Sequence, residues 1–557
     1  MTLVDYEAYF EISKTGLNAA DLIKNIPSKT LLNYISGFAV NCYLNDNIDS
    51  GVTQGKLIDS LLSKTSIDFQ IYWRDFLNKF TQAGHAPVVI WSYSNLLFYE
   101  LIFSNWNELP MKDLNSDEAE IMFRAYLLVN STANAKIKAE ELEAHKKDDQ
   151  FLEEYVIPQF LPQRDYSSTS DYSNQIVRGA MLFEWLENNL KFSGSMPGFY
   201  QRSQISGWKM MFKNLMTMFV EIGIGIGDDR RNQLINLWHY RPKEIAIVYL
   251  KTLCINQHIS SYSHDISFGL IRKHPLYALD DYNYFVLDVN FLIDHFYKAQ
   301  VFTLSAYFTS EGVDKEFLST KGKQFMEDIY LRKLMDKCFY GQTKFYGDQA
   351  INSSGEEMSD FYLRENHKVC LMEFKDVMLN AAAKNSTDSS KLYDAVDTKF
   401  IKNQKGKPKG ITQLVNALVD IDKAGISFDH IAPRSKIAVY PVILYTDHSF
   451  GVDSLNFRYN RDYVNQISQL NLQHVTAKPL TFINLNTFEL HENTFTNKHV
   501  NLFDALDAYQ AHINKDNYQN TPFEVFFKFY QNYLNVPLPG NTAEFSKISN
   551  EIIENQQ

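Results

Sequence analysis

The chain has 557 residues, of which 45% are hydrophobic, 14% aromatic and 22% charged, with a formal net charge of −12. That length points to two or three domains, and that composition excludes a largely disordered chain. The acidic balance argues against a histone-like binder but leaves room for a focused basic surface. No apolar run reaches the roughly 18 residues of a membrane span; the longest, "IAVYPVILY", is strand-sized and interrupted by Pro441. The start, "MTLVDYEAYFEIS", has no basic stretch followed by an apolar block and is not read as a signal peptide. Cys42, Cys254, Cys338 and Cys370 lie far apart without a CxxC pair, so neither a disulfide framework nor a structural zinc site is expected. The expectation is a cytoplasmic protein with no membrane association.

Residues 1–310 read mostly as helix. "DEAEIMFRAYLLVNSTANAKIKAEELEAHKK" and "GWKMMFKNLMTMFVEIGI" space apolar residues by three and four. The charge-dense segment Lys136–Asp149 reads as a solvated helical face. "GIGIGDD", Gly223–Asp229, lacks the lysine and the strand–loop–helix context of a phosphate loop, so a turn is expected there. No repeat is evident.

Past residue 310 the texture changes. A helix is predicted over Lys321–Gly341, followed by a Gly/Ser/Asn-rich turn region, "GDQAINSSGEE". Two strands are predicted at Asp360–Arg364 and Val369–Val377, then a polar stretch, "KNSTDSS", and a basic loop, "KNQKGKPKG". "ITQLVNALVDIDKAG" reads as a helix with Ile411, Leu414, Val415, Leu418 and Val419 on one stripe and a stop at Gly425. "KIAVYPVILYTD" and "AKPLTFINL" read as buried strands, and the last 60 or so residues as helix.

Within Val369–Val377, Glu373 and Lys375 share a face with Val369, Leu371 and Val377, while Cys370, Met372, Phe374 and Asp376 take the other. If Glu365–Lys368 is a four-residue loop, Arg364 pairs with Val369 and Asp360 faces Glu373 directly. Opposed carboxylates repel, a cost that makes sense with a hard divalent cation between them. Lys375 on the same face could then reach a phosphate or an attacking water.

Asp360, followed thirteen residues later by Glu373-Phe374-Lys375, resembles the signature of the PD-(D/E)XK nuclease superfamily, the restriction-endonuclease-like fold. The resemblance covers roughly residues 310–490. It implies an αβββαβ core, with Asp360 and Glu373 on Mg²⁺ or Mn²⁺ and Lys375 beside the reacting phosphate. It also implies an accessory acid, Glu327, in the preceding helix, and a glutamine, Gln413, beside the lysine. Ser359 stands where the family's name has proline. Lys402, Lys405, Lys407 and Lys409, with no acid between Ile401 and Ile411, are candidates for holding a nucleic-acid backbone next to the metal.

The expected architecture is therefore α+β or α/β. It has a helical region (1–310), a PD-(D/E)XK-like nuclease domain (311–490) and a helical C-terminal extension (491–557). The expected activity is metal-dependent phosphodiester hydrolysis, endonuclease more than exonuclease, with DNA favoured over RNA. Bacterial defence against phage or foreign DNA is the setting the superfamily suggests. The N-terminal region is expected to act as a sensor, to bind a protein partner or nucleic acid, or to self-assemble. Two alternatives stay open: an RNA- or tRNA-cleaving enzyme, and a non-catalytic binding scaffold on the same fold. "FDHIAPRSK", Phe428–Lys436, resembles the first element of an HNH nuclease. It lacks the later elements, and a surface loop is expected instead. The scattered histidines show no i,i+4 metal pairing and are expected to be satisfied or exposed.

Overall fold

A computed structural model describes residues 2–44, 51–83, 87–134, 156–167, 171–227, 234–236, 243–386, 388–431, 436–515, 518–536 and 542–554. Lys136–Asp149 lies outside them. The chain forms two compact units. One comprises Met1–Lys138, Tyr166–Lys315 and Lys547–Gln557; the other comprises Ala139–Asp165 and Glu316–Ser546. Most of the C-terminal segment 491–557 thus belongs with the second unit, as does the end of 139–165.

The first unit is mainly helical, its core built from aromatic and aliphatic side chains such as Tyr9, Trp73, Phe98, Tyr99, Phe123 and Tyr126. It is not purely helical. Thr2–Leu3 pairs with Pro87–Val88, and Asn283–Val286 lies between Leu234–Asn236 and Leu276–Ala278 in a three-stranded sheet. These strands are two to four residues long, too short to show an alternating pattern against the helical background. Gly223–Gly227, where a turn was expected, continues the helix Trp208–Gly227; Asp228 and Asp229 lie outside the described residues. His274 and His295 are buried, which lowers each to about 4, and each ring bonds a backbone carbonyl, Thr252 O and Arg272 O respectively. The exposed His264 sits 2.9 Å from the buried Glu100. The four cysteines are buried and unbridged. Among the described residues, no helix is long and apolar enough to cross a membrane.

The second unit is built on a six-stranded mixed sheet. Its helix α1 runs Lys321–Leu331 and continues as Arg332–Cys338. Strands β1 (Thr343–Tyr346), β2 (Phe361–Glu365) and β3 (Lys368–Lys375) form an antiparallel meander. Helices α2 (Ser389–Phe400) and α3 (Gly410–Ala424) cross over to β4 (Ile437–Tyr445), which lies parallel to β3. Strands β5 (Val475–Ala477) and β6 (Thr481–Asn484) both pair with the far edge of β4. The mixed make-up of helices and a six-stranded sheet agrees with the α+β class expected from the sequence.

Several details differ from it. The hairpin closes over two residues, because Glu365 pairs with Lys368, leaving Asn366 and His367 as the turn. Asn366 takes a φ of 54°, a left-handed conformation that asparagine tolerates. The register is nevertheless the one expected, Arg364 against Val369. Strand β1 was implied by the resemblance but not read from the residues, helix α2 was not anticipated, and "AKPLTFINL" divides at Pro479. Pro441, which has no N–H, falls between the residues of β4 that pair with β5 and those that pair with β6.

One face of the sheet buries Tyr362, Val369, Leu371, Val439 and Ile443 against Leu392, Phe400, Ile411, Leu414 and Leu418 of α2 and α3. Phe361, on the opposite face, meets Phe339, just past the end of α1, at 6.0 Å between ring centroids. Helix α3 ends where expected: Gly425 has a φ of 74° and its N–H returns to Ile421 O.

Candidate metal centre

The acidic residues gather where β2 begins and β3 ends. Asp360 precedes β2 by one residue, and continuing the ladder puts it opposite Glu373. Its Oδ2 accepts the backbone N–H of Phe374 at 2.7 Å, which ties it to the end of β3. Glu373 is buried to 3% exposure, and its Oε2 accepts from Lys375 Nζ at 2.7 Å. The same ammonium lies 3.9 Å from Asp360 Oδ2. The face shared by Asp360, Glu373 and Lys375 thus collects all three ionisable groups.

Glu327 comes from α1, whose first eleven residues, Lys321–Leu331, are wound as a π-helix. In this wider coil, with its i→i+5 hydrogen bonds, residues four and five positions on both lie beneath a given side chain. Lys323 accordingly pairs with both Glu327 and Asp328, the latter at 3.5 Å, and lies 3.9 Å from Glu357. Carboxylate oxygens of Glu327, Glu357 and Asp360 lie within 4.8 Å of one another, and among the described residues no other group of acids, histidines or cysteines is so arranged.

Glu357 was missed from the sequence. It lies in the Gly/Ser/Asn-rich segment between β1 and β2, which doubles back through Asn352 N–H to Glu356 O (2.8 Å) and Met358 N–H to Ala350 O (2.8 Å). Gly347 makes room for it: a Cβ there would stand 3.3 Å from the Glu357 carboxyl carbon. Glu373, expected to hold the metal together with Asp360, is instead engaged by Lys375. It feels Asp360 and Glu327 electrostatically without belonging to the triad.

The charges are unbalanced. Burial, then the charge of Asp360, raises Glu373 to about 8, against the pull of Lys375. Burial and Asp360 likewise raise Glu327 to about 7, against Lys323. For Lys375, burial disfavours the ammonium, but Glu373, Asp360 and Glu327 outweigh it and hold the charge in place. The cluster donates only carboxylate oxygen, the donor set of a hard cation such as Mg²⁺ or Mn²⁺, so the residues fit the ion the sequence implies.

Gln413 does not reach Lys375 by a direct hydrogen bond; its Oε1 accepts the Gly410 N–H at 2.8 Å. It fixes the first turn of α3, and there Gly410, at a φ of 34°, passes so close that a Cβ would be 3.4 Å from Lys375 Cε. The lysine loop forms a small hairpin in which Lys402 bridges Pro408. Asn403 Oδ1 accepts the N–H groups of Lys405 and Lys407 at 3.0 and 2.9 Å. Lys402, Lys405 and Lys407 are exposed and Lys409 half-buried, none of them ion-paired among the described residues, and the hairpin leads directly into Gly410.

The first residues of "FDHIAPRSK" lie in a loop between α3 and β4, as expected, with His430 exposed and Asp429 turned inward. Asp429 is buried, accepting from Tyr362 Oη at 2.7 Å and from Arg364 Nε and Nη2 at 2.5 and 2.9 Å. Its carboxylate is therefore committed to β2, which leaves it unable to serve an HNH centre. Residues 432–435 lie outside the described ones.

Compared with protein-family models, with curated proteins and with solved structures, the chain matches none. Its chemistry has to be inferred from its own residues.

Proposed function

We propose that the second unit is a metal-dependent nuclease of the PD-(D/E)XK type, hydrolysing phosphodiester bonds in DNA. The observation that carries this reading is the convergence at one sheet end of Asp360, Glu373 and Lys375 with the Glu327–Glu357–Asp360 carboxylates. A cation held by Asp360, Glu327 and Glu357 would supply Lewis acidity and a bound water of lowered pKa. Lys375, oriented by Glu373, offers a fixed ammonium to the charge that develops on the phosphate as water adds and the leaving oxygen departs. The Lys402–Lys409 hairpin, continuous with the start of α3, supplies cationic contacts to the nucleic-acid backbone. The first unit has no role assigned by its geometry. Defence against foreign DNA is the setting the resemblance suggests.

A non-catalytic scaffold is disfavoured because burying Glu373 and Lys375 beside further carboxylates costs stability without serving a binding surface. Incubation of the full chain with plasmid, linear DNA and total RNA, in Mg²⁺ or Mn²⁺ and in EDTA, tests the proposal. Cation-dependent cutting of DNA supports it, cutting of RNA alone moves the substrate to RNA, and cutting that persists in EDTA overturns it.

A further inference from the structure

Lys323 stands in an unusual place for a surface lysine. Its ammonium pairs with Glu327, one of the three carboxylates that could hold a cation. It also lies 3.9 Å from Glu357, a second of them, and 3.5 Å from Asp328 beside them. Around this point the chain places Glu327, Asp328, Glu357, Asp360 and Glu373 against only two ammonium groups, Lys323 and Lys375. Lys375 is buried and committed to Glu373. Lys323 is 49% exposed, on a long flexible stem, and can leave for solvent without moving the backbone.

Resting on the nuclease reading above, we infer that Lys323 is a resident counter-ion. It occupies the carboxylate cluster when no divalent cation is bound, and a cation must displace it to reach Glu327 and Glu357. The π-helical winding is what places one ammonium over both Glu327 and Asp328. An ammonium and a divalent ion cannot share the same carboxylate oxygens without strong repulsion. The resting protein therefore offsets part of the negative charge on these carboxylates, and the affinity for the metal is reduced by the need to exchange one cation for another. At low cation concentration the lysine holds the site, so cleavage follows the supply of free divalent ion with a raised threshold.

The test is calorimetric titration of Mn²⁺ into the full-length protein, without nucleic acid, for wild type, Lys323→Met and Lys323→Arg. Thermal melts verify that each variant is folded. The expected result is Mn²⁺ binding about tenfold tighter in Lys323→Met than in wild type, with Lys323→Arg close to wild type. Equal or weaker binding in Lys323→Met overturns the counter-ion role. If that protein also cuts DNA in a cation-dependent way, the nuclease reading stands without it. No Mn²⁺ binding in either protein overturns both.

Discussion

The carboxylate of Asp360 accepts the backbone N–H of Phe374 at 2.7 Å, so the acid that opens β2 is fastened between Glu373 and Lys375. One side chain thereby closes the end of the ladder and presents an oxygen to the carboxylate triad. The two tasks separate on substitution. Asp360→Asn keeps an acceptor for the N–H but removes the charge; Asp360→Ala removes both. Both variants are expected to lose Mn²⁺ binding. Only the alanine should also lose stability, by about 1–3 kcal/mol, in chemical denaturation.

The raised carboxyls give the unliganded protein a definite pH dependence. Glu327 and Glu373 hold their protons in the folded state up to about 7 and 8, where the unfolded chain has lost them above about 4.5. The folded protein thus binds more protons over that window. Their contribution is complete at low pH and lost as pH rises to about 8. Melting in EDTA should show a smaller fall from pH 5 to 8.5 in Glu327→Gln than in wild type. Mg²⁺ should restore stability at pH 8.5 in wild type.

The lysine hairpin makes a prediction about salt. Replacing Lys402, Lys405 and Lys407 with alanine should weaken DNA binding without regard to sequence. It should also reduce the slope of log affinity against log salt by about 3, while leaving Mn²⁺ binding unchanged. Fluorescence anisotropy at several salt concentrations reads this directly.

Asp429 sits with Arg364 and Tyr362 under the sheet, and truncating it strands a cation whose partner was buried. Asp429→Ala is expected to cost about 3 kcal/mol in urea denaturation. Retained cleavage below the melting temperature would show that this aspartate holds the fold and takes no part in chemistry.

The register of β2 and β3 was legible because side-chain alternation and a short connection leave few ways to pair them; shortening the turn to Asn366–His367 leaves the register as expected. Helix α3 was legible from its stripe and from Gly425. Glu357 was not, because its position depends on how a Gly/Ser/Asn-rich segment folds back on itself, which no periodicity records. The π-helical winding of Lys321–Leu331 was hidden for a related reason: apolar spacing marks a helical face but hardly separates i+4 from i+5. The burial of Asp429 was not legible, because within a loop only the contact with Tyr362 and Arg364 turns that carboxylate inward. The short strands near Leu276 and Asn283 lay within a segment whose helical neighbours dominated the pattern.

The most direct measurement of the central claim is the rate of DNA cleavage in Mg²⁺ by wild type and by Lys375→Ala, each verified as folded by its melting transition. Removal of the ammonium that Glu373 holds should slow cutting by at least about a hundredfold. Cation-dependent cutting at the same rate in Lys375→Ala would contradict the assignment of this site as the catalytic centre.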